Sequence, residues 1–189
     1  MNRTIVTTTH QPDDNSVLLG RQAASSLNTV YADRQRMSLE KLREKYSCEN
    51  ILVIKNHQLT LFSPLGEYFF HPSMSVPRIK AIKEGKTDHM VEAMQLKSGY
   101  TVLDCTMGLG ADAIVAAFVS GPGGHVTGLE SSPEIAYIVS RGLITYNDSR
   151  PQLKEAMSRI DVINDNYNDF LAKQQESSFD IVYFDPMFR

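Results

Sequence analysis

The chain has 189 residues, of which 42% are hydrophobic and 22% charged, an ordinary balance for a globular protein with room for an ample core. No apolar run approaches the roughly 20 residues needed to span a bilayer, and the N-terminal segment lacks the apolar core of a signal peptide, which predicts a cytoplasmic protein. The net charge of −3 is unevenly spread, +3 over residues 1–99 and −6 over residues 100–189, so the front half is free to meet a polyanion.

Residues 4–9 are rich in β-branched side chains and predict a strand, and Asp13-Asp14-Asn15 predicts the start of a helix. Residues 31–46 read as a polar helix with Ser38 as an N-cap. Its cations Arg34, Arg36, Lys41, Arg43 and Lys45 form either a solvated face or a phosphate-facing surface. Residues 50–62 predict a hairpin around the polar turn 55–58. Tyr68-Phe69-Phe70, followed by His71-Pro72, reads either as a stacking surface for bases or as an apolar plug between domains. A linker is expected at 63–66 or 72–77, with a small N-terminal α+β domain over 1–74, a candidate RNA-binding module, and a second domain over 75–189. Residues 75–96 predict a helix broken near Gly85. Its cations Arg78, Lys80, Lys83 and Lys86 either extend the positive surface or form another solvated face. Two cysteines, Cys48 and Cys105, are too few for a disulfide framework, and no histidines fall at ligand spacing, so no metal site is expected.

The second half alternates strand and helix. Residues 100–103 predict a buried strand and residues 111–120 an apolar helix, with Gly108 and Gly110 in the turn between them. Glycine there permits a tight turn and close approach of a ligand to the backbone, beside the unpaired N–H groups of the next helix. Residues 125–130 predict a second strand closing on Glu130. Ser132 and Pro133 predict a helix start running to about Tyr146. Residues 151–159 follow as a short helix, and residues 160–163 as a strand. A polar loop over 164–169 could hold an adenine. A last apolar strand begins at Phe179 and runs into Asp185-Pro186-Met187-Phe188. The order β-α-β-α-β-α-β with continuously apolar strands predicts an α/β fold with a doubly wound, mostly parallel sheet, and puts three polar strand ends on one rim. The last strand has no following helix before Arg189, which predicts a longer protein with further C-terminal strands.

Asp104-Cys-Thr-Met-Gly-Leu-Gly110 resembles the first motif of Rossmann-like, class I S-adenosylmethionine-dependent methyltransferases, in the form common among enzymes that methylate exocyclic amines of nucleobases. Asp185-Pro-Met-Phe188 resembles their fourth motif. The pair is closer still to a bacterial family that methylates N2 of a guanine in small-subunit ribosomal RNA. The likeness covers residues 100–189 and extends back through Phe-His-Pro-Ser-Met to residue 69; residues 1–68 are not assigned to it. It implies S-adenosylmethionine as cofactor, with Asp104, Thr106, Gly108, Gly110, Ala111 and Asp112 around its methionine end, Glu130 and Ser131 on its ribose, and Asn166 and Tyr167 on its adenine. Asp185 would lie between cofactor and target and share catalysis with Pro186 and Phe188. The sulfonium supplies the electrophile, so no metal is implied. Thr106 departs from the glycine of the general class, Ala111 stands where the ribosomal family often has arginine, and Met187 replaces the second proline of the general motif. The implied partner is ribosomal RNA or the small subunit, with no membrane; monomer and homodimer both stay open. An amine in DNA, protein or a small molecule is the alternative substrate. A non-catalytic RNA-binding protein that keeps the fold is the other alternative.

Overall fold

The computed structural model describes residues 4–56 and 58–186, and the chain divides into two compact units, Met1–Phe70 and His71–Arg189. The first unit contains β1 (Thr4–Thr8), α1 (Asp14–Ser26), β2 (Val30–Tyr31), α2 (Leu39–Tyr46), β3 (Asn50–Lys55), β4 (Gln58–Ser63) and β5 (Gly66–Phe69). Its sheet has the order β2-β1-β3-β4-β5, parallel on both sides of β1 and antiparallel from β3 onward. Ile5 clusters with Leu42, Ile51 and Val53, while its neighbour Val6, which points to the opposite face, is equally buried. Cover on both faces explains why β1 carries no polar alternation.

The helix expected over residues 31–46 forms only from Leu39. Before it, the Ala32 N–H continues the strand pairing to the Val6 carbonyl at 2.7 Å, the Asp33 carboxylate accepts from the Gln35 N–H at 3.1 Å, and Gln35 takes a left-handed φ of 50°. A short polar side chain that bonds the local backbone competes with the helix and prevails here. Ser38 then caps α2, accepting from the Lys41 N–H at 3.2 Å. Arg34 donates to the carbonyls of Thr8 and Met37, and Arg43 to that of Glu49, so both spend donors on the backbone that a phosphate would need. Residues 63–66 form the tight turn of the β4–β5 hairpin, with Ser63 paired to Gly66, and not a linker.

The second unit contains α3 (Ser75–Lys83), α4 (His89–Ala93), β6 (Thr101–Asp104), α5 (Ala111–Ser120), β7 (His125–Leu129), α6 (Pro133–Thr145), α7 (Pro151–Met157), β8 (Ile160–Ile163), α8 (Tyr167–Leu171) and β9 (Ile181–Tyr183). All four strands run parallel in the order β8-β7-β6-β9. Gly85, at φ 79°, separates α3 from α4 where the sequence predicts a break. Helix α5 buries Ala113, Ile114, Val115, Ala116 and Ala117 in succession, as a helix apolar all round must. Ile114 and Val115 have no exposed surface, and each such burial contributes roughly 1.5–3 kcal/mol. Leu103, Cys105 and Leu129 form a second cluster with Ile163, Phe170, Leu171 and Phe179. The chain walks outward from β6 through β7 to β8, then returns to the far side of β6 for β9. The order therefore reverses beside β6, and in open α/β sheets the crevice outside the carboxyl ends at that point is where ligands bind. No helix among the described residues is long and apolar enough to cross a membrane.

One glycine of this sheet is fixed by a neighbour. A Cβ added at Gly128 of β7 would stand 2.2 Å from the Met107 sulfur, so the Met107 thioether occupies the space a side chain would take. Gly128→Ala should therefore lower Tm by several degrees, the result of roughly 1–3 kcal/mol of overpacking. Met107→Ala in the same chain should recover part of that loss, which thermal melts of the single and double variants would measure; strictly additive losses would contradict the contact.

Candidate active site

Strand β6 ends at Asp104, and the turn that follows is pinned to both neighbouring strands. The Cys105 N–H donates to the Tyr183 carbonyl of β9 at 2.9 Å, and the Met107 N–H to the Leu129 carbonyl of β7 at 3.0 Å. Gly108 and Gly110 then take left-handed φ values of 52° and 80°, a conformation glycine adopts without steric cost. Gly110 is the N-cap of α5 and offers no side chain, so among the described residues the first-turn N–H groups of this helix have no side-chain cap. They are the anion-binding end of a ten-residue dipole.

Carboxylates gather around this turn from three strand ends and the helix start. Asp104 is 2% exposed, and its carboxylate accepts from the Thr106 N–H at 3.0 Å. Burial pushes its carboxyl up to about 7, opposed by that hydrogen bond and assisted by the charges of Asp112, Asp185 and Glu130. The charge of a residue 81 positions away thus bears on Asp104, and the register that sets Asp104 beside Gly128 of β7 and Tyr183 of β9 puts the strand ends carrying Asp104, Glu130 and Asp185 on a single rim. Glu130 accepts from the Ser132 N–H at 2.7 Å through Oε1; among the described residues Oε2 has no hydrogen bond. Asn164, just past β8, donates to the carbonyls of Glu130 and Ser131 at 2.7 and 3.2 Å and so fixes the loop between β7 and α6. Asn166 caps α8 by accepting from the Asn168 N–H at 2.8 Å, which turns the expected 164–169 loop into a helix start. Tyr167, exposed, meets Phe184 edge-on at 5.3 Å.

The two motifs are joined by side chains that sequence reasoning missed or misread. The Asp185 N–H donates to Thr106 Oγ1 at 2.7 Å, so the threonine of the first motif holds the backbone of the fourth. The Tyr183 hydroxyl donates to Asp112 Oδ2 at 3.2 Å, and burial with the surrounding carboxylates raises that phenol, which stays a donor. Asp112 Oδ1 accepts from Arg78 of α3. The remaining face of the guanidinium grips Asp88 at 2.7 and 2.9 Å, and these partners raise Arg78, the Asp88 hydrogen bond most. Arg78 is therefore part of the scaffold behind the rim and not of an exposed basic face. Nothing local in the sequence separates it from its exposed neighbours; only the fold brings α3 to the start of α5, where Ser75 Oγ also donates to the Ala111 carbonyl at 3.0 Å. Cys105 is buried and its thiol pushed up to about 11, first by burial, which suits packing and not attack. Pro186 closes the described residues, whereas Met187 and Phe188 lie outside them.

A glycine turn under an uncapped helix, at the order reversal of a parallel sheet rimmed by acids, defines a Rossmann-like methyltransferase fold. The family described as "Putative SAM-dependent methyltransferase" matches residues 33–189, and the chain belongs to it. Among its relatives is the "Uncharacterized protein YpiP" of Bacillus subtilis, 34% identical over 185 residues that make up 97% of this chain and 72% of that protein. The "Ribosomal RNA small subunit methyltransferase J" of Nitrosococcus oceani is 30% identical over 135 residues, 70% of this chain and 51% of that protein. Its counterpart in Psychrobacter cryohalolentis is 29% identical over 110 residues, 54% of this chain and 36% of that protein. The chain thus spans about half or less of the length of these two enzymes. The solved structure of a SAM-dependent methyltransferase from Neisseria gonorrhoeae superposes with a TM-score of 0.68 over 97% of this chain and 69% of that one, at 20% identity, a likeness of fold.

The cofactor of the family is S-adenosylmethionine, and the residues fit it: donors without a cap for its carboxylate, a buried acid beside the turn for its cationic centres, and Glu130 Oε2 for hydroxyls. The raised value of Asp104 has a consequence for pH. A carboxyl raised in the folded state adds stability at low pH, and that contribution is lost as pH rises through about 7. A cationic ligand draws the same group to its ionised form. S-adenosylmethionine affinity should therefore rise several-fold between about pH 5.5 and 7.5, and Asp104→Asn should flatten the profile. Titration calorimetry across that range checks it; an equally steep profile in the variant would contradict the assignment.

Proposed function

We propose that the protein transfers a methyl group from S-adenosylmethionine to an exocyclic amine of a nucleobase, the N2 amine of a guanine in small-subunit ribosomal RNA, in the cytoplasm. The observation that carries the reading is the tethering of Asp185-Pro186 to the first-motif turn by the 2.7 Å bond to Thr106, which sets an acceptor pair beside the rim. The printed names of the methyltransferase J relatives support RNA as the substrate.

Bound S-adenosylmethionine supplies a methyl group made electrophilic by its sulfonium. The helix α5 start with Gly108, Gly110, Ala111 and Asp112 orients the methionine end, Glu130 and Ser131 the ribose, and Asn166 and Tyr167 the adenine. An exocyclic amine is a weak nucleophile because its lone pair is delocalised into the ring. The Asp185 carboxylate and the Pro186 carbonyl accept its two N–H bonds, pull it out of conjugation and aim the lone pair at the methyl carbon. Proline's fixed φ stiffens that carbonyl. As the N–C bond would form and the methyl–sulfur bond break, its electron pair staying with sulfur, the surplus proton leaves through the carboxylate of Asp185, an exposed residue, to water. The base has first been drawn out of any stack at a cost of a few kcal/mol.

Labelled S-adenosylmethionine, incubated separately with deproteinised ribosomal RNA, assembled small subunits, DNA and protein, tests the reading. Label in RNA, carried by N2-methylguanosine after digestion, is expected; label only in DNA or protein would transfer the chemistry to another amine, and label in none would contradict the proposal. Asp185→Ala should abolish transfer, a loss of a hundredfold or more, with S-adenosylmethionine affinity retained. Thr106→Val should lower kcat roughly tenfold or more with little change in cofactor affinity, and Thr106→Ser should restore most of it. Equal losses in the valine and serine variants would show that the hydroxyl does not act through Asp185.

A further inference from the structure

The cations of residues 75–96 do not form one surface. With Arg78 drawn to Asp88 and Asp112, the cation Lys80 is left 78% exposed, and Lys86 68%. Val76, Ile79, Lys80 and Lys83 recur at i, i+3, i+4 and i+7, which makes them one stripe of α3. The stripe faces the start of α7, some 70 residues on, where Lys83 Nζ donates to Gln152 Oε1 at 2.7 Å. Between the two elements lies a cleft of about 460 Å³, with Lys80, Lys83 and Arg150 on its walls and Val76, Ile79 and Leu153 on its floor. Two acids temper it: Glu84 lies 4.0 Å from Lys80 and 2.8 Å from Lys86, and Asp148 pairs with Arg150 at 2.5 Å. The cleft with Lys86 remains net positive, whereas residues 71–189 hold 11 Lys and Arg against 15 Asp and Glu. The cleft is thus a positive patch on an otherwise acidic unit.

We propose that this cleft seats the sugar–phosphate backbone of the RNA substrate next to the base being methylated, an inference that rests on the RNA reading above. Cationic walls over an apolar floor suit a single-stranded segment, its phosphates on Lys80, Lys83 and the Nη1 edge of Arg150, which Asp148 leaves open among the described residues, and a ribose or base face on Val76 and Leu153. The position suits it too. The first turn of α3 is bound to the rim through Ser75 to Ala111 and Arg78 to Asp112, and Asp112 takes the hydroxyl of Tyr183, two residues before Asp185. Ser75 and Arg78 lie on the side of α3 turned from the stripe, so a backbone seated in the cleft crosses the helix, about 10 Å thick, on its way to the rim, a length of a few nucleotides.

The test is the affinity of the whole protein for deproteinised small-subunit ribosomal RNA across a salt series, beside its affinity for S-adenosylmethionine. Lys80→Gln, Lys83→Gln, Lys86→Gln and Arg150→Gln combined should weaken RNA binding tenfold or more near 0.15 M salt and flatten the log–log salt slope by about 0.7 for each phosphate no longer neutralised, with cofactor affinity unchanged. Lys97→Gln with Lys173→Gln, cations away from the cleft, should change neither. If the fourfold variant does not fold, Lys80→Gln with Lys86→Gln, both at exposed positions, should give the same direction at smaller size. Unaltered RNA affinity and slope, or an equal fall in the Lys97 and Lys173 control, would refute the cleft and leave the RNA reading standing. A wild-type protein that binds no RNA while methylating DNA or protein would refute both.

Discussion

The site depends on a carboxyl group buried at the end of the central strand. An ionised acid with 2% exposure is unfavourable in an apolar surrounding, and three further carboxylates nearby make it more so. What keeps Asp104 there is the turn it belongs to: one carboxylate oxygen is met by the Thr106 N–H, and the adjoining backbone is tied to β9 on one side and β7 on the other. The result is an acidic recess under a helix N-terminus, with carboxyl groups beside the positive end of a fixed dipole. A zwitterionic ligand that also carries a sulfonium answers both charges, which is the electrostatic sense of the family's cofactor in this fold.

The same turn sets the geometry between the two halves of the proposed reaction. Thr106 gives its N–H to Asp104 and accepts the N–H of Asp185, so the proposed cofactor side and the proposed target side meet in one residue. Tyr183 and Arg78 reach Asp112 from opposite directions and fix the first turn of α5 against β9. Where the general class has glycine at the Thr106 position, this chain has a side chain with a defined bond, and its departure from that pattern acquires a physical reason. Packing on the other side is as constrained: Met107 fills the space above Gly128, so the turn cannot sink toward β7 without displacing a buried thioether.

Much of this was legible before the structure. The apolar helix Ala111–Ser120, the strand Ile160–Ile163 and the caps at Ser38 and Ser132 follow from periodicity and capping chemistry, which act over a few residues. The convergence of Asp104, Glu130 and Asp185 follows from the rule that parallel strands present their carboxyl ends on one rim. The failures lie where long-range partners override local preference. Residues 32–38 look helical, yet Ala32 pairs with β1 and Gln35 turns left-handed. Arg78 looks like its neighbour Lys80, yet two aspartates 10 and 34 positions away claim it. Arg150 and Gln152 carry no signal that they would face α3. Such pairings are set by topology and cannot be read from spacing.

The unit holds a larger concavity, about 940 Å³, beside the edge strand β8 and the end of α6, and none of its lining residues is an acid of the rim. It offers a direct comparison for the central claim that the rim is the cofactor site. Hydrogen–deuterium exchange with and without S-adenosylhomocysteine measures which backbone amides a bound ligand protects. Slowed exchange over residues 104–112, 128–132 and 164–167 is the predicted result; protection confined to residues 140–147 and 158–163, or none at saturating ligand, would contradict it.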